Sequence, residues 1–330
     1  MTAASTAATG PGDPQMSTVG EAALADSRAP SRLRVAVCWA TIVSCVPYLS
    51  LKLLWLAGSS SGAATAAGAA ELGDVRHTIG NVVTVGMELA AVALVLALTY
   101  PWGHRVPAAL LAAPIWVAGG LLAPIVVGLP LGLLAQAFTG GSAAPAGNGL
   151  ESWVYVLVYG GFIVQAVGLV TAFVAHARAR WPNVFRMPAA ELPEPTPARR
   201  RLSVLSAGAA TGYAVILAVW SVAAPAWGAP AGLVTVTQRS ALLATGLLVL
   251  AGAVAVLSLL HRRGQRRVTW PLVLAWIGSA VTVTAGPTHL VLSNNGNVSM
   301  PQVVVSLAAT LAGLALTASA WRAFPRRAAV

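Results

Sequence analysis

Glu88 stands in the middle of an apolar run that begins just after Arg76 and closes at Tyr100. Twelve residues separate it from Arg76, about 18 Å along a helix, which puts a carboxyl near the centre of any bilayer the run crosses. An ionisable group at that depth costs about 2.5–3.5 kcal/mol on insertion scales, so it marks a candidate functional site. His77, Asn81, Thr84 and Glu88 follow one another at intervals of four, three and four, which places all four on one helical face. A polar stripe descending from one surface to the membrane centre is suited to a water-filled path or a proton relay. The competing reading is a packing face on which Asn81 and Thr84 bond neighbouring helices.

Lys52 is the only lysine, in the stretch Tyr48-Leu49-Ser50-Leu51-Lys52-Leu53-Leu54-Trp55. A lysine about a turn and a half from a helix end reaches the headgroups by extending its stem. The alternative is a place beside the stripe or an ion pair with Glu88, across a depth difference of roughly 8–10 Å by helix rise. Gln165, in a later apolar run, is placed to hydrogen-bond across a bundle. His104, His176 and His289 fall near the ends of apolar runs and read as interfacial. Asn297-Val298-Ser299 fits the glycosylation acceptor pattern, with meaning only in a glycosylating pathway.

These residues need helices in lipid to position them. Charged residues make up 9% of the chain and hydrophobic ones 57%, against about 25% charged in a soluble domain. Eight runs, 35–57, 78–100, 106–134, 152–176, 203–225, 239–260, 268–291 and 301–321, are long enough to span a bilayer. They are apolar on every face, which excludes the alternating strands of a barrel. The fold class is an all-α polytopic helix bundle. Residues 1–30 are rich in Ala, Ser, Thr, Gly and Pro and read as a disordered tail. Spans 3 and 7 carry Gly and Pro at matching places, Pro114, Gly119, Gly120, Pro124, Gly128 and Pro130 against Gly278, Gly286 and Pro287. Interrupted helices in corresponding positions point to a transporter site; the competing reading is that Gly and Pro are common in membrane helices anyway.

Orientation follows from the basic residues. With the N-terminus inside, 17 of the 20 fall in cytoplasmic segments and only Arg76, Arg239 and Lys52 on the outer side. Short basic loops set topology in this sense, so both termini are expected in the cytoplasm. Trp39, Trp102, Trp181, Trp270 and Trp321 near inner boundaries, and Trp55, Trp153 and Trp227 near outer ones, suit an aromatic belt. Trp116 and Trp276 fall mid-span. The net charge of +11 lies in these loop clusters and not in a binding stripe, which argues against nucleic acid.

The two halves resemble each other in order. Tyr48 and Trp55 match Tyr213 and Trp220; Arg76 matches Arg239; Arg105-Val106 matches Arg267-Val268; Gly168-Leu169 matches Gly313-Leu314; and Trp181-Pro182 matches Phe324-Pro325. A parallel duplication of four spans each follows: 31–180 as the first half, 181–201 as a Pro/Arg-rich cytoplasmic linker, and 202–330 as the second. The second half has Leu217 at the Lys52 position and Ala251 near the Glu88 position, so its polarity is absent and a symmetric two-site transporter is disfavoured.

No P-loop, HExxH, GxSxG or CxxC motif occurs, and nothing in the sequence calls for a cofactor or a metal. Cys38 and Cys45, roughly 10 Å apart on one helix, are too far apart to bridge. The composition and the stretch Tyr48, Lys52, Trp55, Gly58 resemble those of uncharacterised multi-pass membrane proteins of high-GC actinobacteria. That resemblance implies a bacterial cytoplasmic-membrane location and no activity. Three functional readings follow: a small permease or exporter with proton coupling through Glu88, Thr84, Asn81, His77 and Lys52; a membrane scaffold, sensor or accessory subunit; and an enzyme acting on a lipid-like substrate.

Overall fold

The computed structural model describes residues 30–140, 149–223, 229–230, 233, 235–261, 267–291 and 298–322. The tail 1–29, Trp227, Asn297, Phe324-Pro325 and the arginines Arg262, Arg263, Arg266, Arg326 and Arg327 lie outside the described residues. Eight helices are long and apolar enough to cross a membrane, and among the described residues there is no strand beyond one isolated bridge. Spans 1 to 8 run Arg32–Leu56, Val75–Thr99, Ala108–Thr139, Ser152–Arg180, Pro197–Ala223, Val236–His261, Thr269–Val291 and Met300–Trp321. The chain is a multi-pass membrane helix bundle.

The helix ends have local causes. Ser31 accepts from the Arg34 amide and opens span 1, and Asp74 accepts from the Val75 amide and opens span 2. These side chains satisfy amides that a helix N-terminus leaves without partners. Ser299 and Gln302 form a reciprocal capping box at span 8, so Ser299 is a helix cap. Span 3 ends at Gly140, whose φ of +76° is a conformation glycine tolerates and other residues resist. Span 5 starts at Pro197 and takes Arg199, Arg200 and Arg201 into its first turns, earlier than the linker boundary drawn from the sequence. The rest of that linker is folded: Ala189 and Leu192 enter the core of spans 5 to 8, and the Val268 amide donates to the Met187 carbonyl.

The expected interruptions in spans 3 and 7 do not occur. Span 3 is one helix of 32 residues through Pro114, Pro124 and Pro130, and span 7 runs through Pro287. Membrane helices absorb proline because the freed carbonyls find other partners. The glycines serve packing instead. A Cβ on Gly128 would lie 2.6 Å from Ala241 Cα, and one on Gly132 would lie 2.7 Å from Thr237 Cα, so span 3 meets span 6 almost backbone to backbone.

Each half is a four-helix bundle in which consecutive spans touch and the first packs on the last. The halves join chiefly through span 3, which lies against spans 6 and 7. Polar groups lock this seam. Thr237 donates to Gln136 Oε1 at 2.7 Å, and Trp116 Nε1 donates to Ser279 Oγ at 3.3 Å. The mid-span tryptophans thus have packing roles, Trp276 by stacking on Phe173 with centroids 6.3 Å apart.

The cores of the halves differ. Spans 5 to 8 share one continuous apolar cluster that runs from Leu259 and Val268 through Ala210 and Leu217 to Trp220 and Ala285. In spans 1 to 4 the core is split. One cluster, around Cys38, Val95, Leu98 and Leu169, fills the basic end; another, of Leu51, Trp55, Leu72 and Val154, fills the opposite end.

Glycine packing makes a sharp prediction. A Cβ on Gly252 would lie 2.6 Å from Gly278 Cα between spans 6 and 7, whereas one on Gly208 meets nothing within 4 Å. Gly252→Val should lower thermal stability in detergent, with a cost of about 1–3 kcal/mol typical of overpacking. Gly208→Ala should be neutral or stabilising by up to about 1 kcal/mol. Equal melting shifts for the two variants would contradict this seam.

Candidate functional site

The gap between the two apolar clusters of the first half is filled with polar side chains. Span 2 turns His77, Asn81, Thr84 and Glu88 toward spans 1 and 4 while Val82, Val83, Met87 and Leu89 face outward and are exposed. The 3.6-residue period sorts the two sets onto opposite faces of one helix. Asn81 and Glu88 are buried, at 3% and 4% exposure.

Glu88 is held from both neighbouring spans. Gln165 Nε2 on span 4 donates to Glu88 Oε2 at 3.1 Å, and the Cys45 thiol on span 1 lies against the same carboxyl. Tyr48, one turn further along span 1, faces Thr84 and Glu88. Thr84 itself donates to the Gly80 carbonyl at 2.8 Å, a bond that occupies its hydrogen within its own helix.

Lys52 reaches into the layer and not out to the surface. Its ammonium donates to Asn81 Oδ1 at 2.9 Å and sits 5.0 Å from the Tyr48 ring centroid and 4.7 Å from that of Trp55. Both rings offer an electron-rich face that stabilises a desolvated cation. The hydrogen bond goes to Asn81, about 10 Å above Glu88 by helix rise, so Lys52 and Glu88 belong to one layer without pairing.

Span 4 supplies an aromatic wall that its sequence had not suggested. Tyr155 stacks on Tyr159 at 6.5 Å, Tyr159 meets Phe162 edge-on at 6.3 Å, and Phe162 meets Tyr48 edge-on at 5.1 Å. The signal was present as the spacing 155, 159, 162, 165, one helical face ending on Gln165.

A loop covers the layer on the side of Lys52. Residues 57–74 fold back with the short helix Ala66–Leu72 and are tied to the segment before span 4. The Ala64 amide donates to the Gly149 carbonyl at 2.7 Å and the Glu151 amide to the Gly62 carbonyl at 2.8 Å. Trp55 is therefore a core residue and not a member of the aromatic belt, with its indole N–H donating to the Ser61 carbonyl at 2.8 Å.

At the basic end His176 is packed as well. His176 is fully buried and stacks on His104 with centroids 4.6 Å apart. It is covered because the 3₁₀ turn Pro101–Arg105 folds over the end of span 4. Beside it, Arg34 donates to the Leu98 carbonyl at 2.8 Å and Arg180 to the Val106 carbonyl at 2.9 Å. Cys38 and Cys45 are buried and unbridged. Among the described residues no group of three or more His, Cys, Asp or Glu side chains is placed to hold a metal.

No protein-family model, no curated protein and no solved structure matches the chain.

The Glu88–Gln165 bond is testable by a double-mutant cycle. Gln165→Leu should destabilise the protein by about 1–3 kcal/mol, because it strips a buried acceptor of its donor. Adding Glu88→Leu should recover part of that loss, since replacing both partners with apolar groups restores a matched core. Thermal melts of the four proteins in detergent decide it: a double variant whose loss equals the sum of the two single losses would mean the side chains do not share the bond.

Proposed function

We propose that this chain is a small permease or exporter of the bacterial cytoplasmic membrane, coupled to protons through Glu88, with its path in the first half. The observation that carries the reading is the split core of spans 1 to 4. A polar layer containing one carboxyl and one ammonium lies between two apolar clusters, while spans 5 to 8 share one continuous apolar cluster that includes Leu217. Ionisable groups inside a membrane bundle are costly, and a packing role alone requires neither. Glu88 is the titrating group in this reading, Asn81, Thr84 and His77 line the way to it, and Lys52 is the fixed positive charge. Spans 5 to 8, joined through span 3, are the scaffold.

The same order of helix packing in both halves and the burial of Tyr48, Trp55, Tyr213 and Trp220 alike support a four-plus-four duplication. The arginines at the His176 end support placing that end, and both termini, in the cytoplasm.

A panel of small solutes applied to proteoliposomes on a solid-supported membrane tests the transport reading. Wild type should give a transport current with at least one solute class, and Glu88→Gln should reduce it at least tenfold while melting like a folded protein. A silent Glu88→Gln substitution, or the absence of current with every solute, would instead favour a scaffold or accessory subunit.

A further inference from the structure

The outer part of the polar layer has more hydrogen-bond donors than acceptors. Lys52 spends one N–H on Asn81 Oδ1 and lies beside the Tyr48 and Trp55 rings, with no second oxygen acceptor among the described residues. That bond fixes the Asn81 amide, because the reverse orientation would set two donors against each other. The Asn81 Nδ2 group is consequently turned away from Lys52. It is buried, on a residue 3% exposed, and has no acceptor. One turn above it, His77 Nδ1 is also buried and without a partner. A buried donor left unmatched costs about 1–3 kcal/mol, so the Lys52 ammonium, Asn81 Nδ2 and, as its N–H tautomer, His77 Nδ1 form on two facing helices the complement of an anion.

The charge and shape of that anion follow from the same groups. One ammonium and two neutral donors match a single negative charge spread over two oxygens. A dianionic phosphate would call for a guanidinium fork or several cations, and the neighbouring Arg76 is exposed and donates to the Val291 carbonyl. Leu51, Trp55, Leu72 and Val154 form an apolar wall next to Lys52, chemistry that matches a short hydrocarbon tail. We infer that the outer end of the polar layer binds a small apolar monocarboxylate, one oxygen on Lys52 Nζ and the other on Asn81 Nδ2, with His77 completing the set in its Nδ1–H tautomer. This inference names the substrate class of the permease proposed above, and for movement of the carboxylate it rests on that reading.

Binding and movement are tested separately on the full chain. Butyrate is titrated into detergent-solubilised protein at constant ionic strength, with butyramide as the uncharged isostere, and melting is followed. Butyrate should raise Tm saturably and butyramide should not. Lys52→Met and Asn81→Leu should abolish the shift, and Lys52→Arg should keep it with an affinity within about tenfold. Equal responses to the acid and the amide, an unchanged response in Lys52→Met and Asn81→Leu, or no wild-type response would each overturn the site. Glu88→Gln should still bind butyrate while liposomes carrying it show no butyrate current. Binding without any wild-type current would leave the site standing and remove the permease reading. Glu88-dependent currents with other solutes, but no butyrate shift, would do the reverse.

Discussion

In hydrocarbon there is no water to solvate a carboxyl, and the first half of this protein is arranged around that fact. Glu88 is reached by Gln165 from span 4 and by Cys45 from span 1, so three helices must converge at one depth. Once they do, the side chains one and two turns away are drawn into the same layer: Tyr48 against Thr84, and Lys52 against Asn81. An apolar core cannot be continuous through such a layer. The clusters around Val95 and around Trp55 are separate because polar groups occupy the space between them.

A bundle divided in this way is held by less apolar packing than an undivided one, and the second half compensates by its construction. Its helices approach through glycine and alanine, as at Gly252 and Gly278, where close backbones gain dispersion contacts that lipid tails do not supply. Span 3 carries that rigidity across. Gly128 and Gly132 seat it on span 6, and hydrogen bonds from Thr237 and Trp116 fix its register. The polar layer is thereby joined to spans 5 to 8, whose sequence contains no Asp, Glu or Lys.

Much of this was legible in the residue order. Eight apolar runs gave eight helices because length and composition alone decide what crosses a bilayer, and the four-three-four spacing of His77, Asn81, Thr84 and Glu88 put them on one inward face. What the sequence could not supply was the partner of each group. Gln165 and Glu88 are 77 residues apart, and no local spacing relates them. The Gly and Pro residues of spans 3 and 7 read as breaks, since proline removes an amide in any helix; the backbone stays helical because the bundle tolerates the loss. Trp55 read as a belt residue because a tryptophan near a helix end usually has free access to the headgroups. The loop 57–74 that covers it has too few apolar residues to announce itself.

The two seals on the polar layer are built differently, and this bears on how it could open. On the Lys52 side the cover is loop, short helix and the start of span 4, joined by hydrogen bonds from Ala64 to Gly149, from Glu151 to Gly62 and from Trp55 to Ser61 and by the small cluster of Leu51, Trp55, Leu72 and Val154. On the His176 side the seal is the packed core of four long helices, pinned by Arg34 and Arg180 to the Leu98 and Val106 carbonyls. Local opening takes its free energy from the contacts it breaks, and segments with few buried apolar contacts open first. Opening on that side would reach Lys52 and Asn81 before Glu88, which Gln165 and Cys45 hold from the long helices. Parting the helices at the opposite end disturbs the surroundings of Glu88 as well. The donor-rich end therefore lies behind the weaker seal, and the carboxyl lies behind the stronger one.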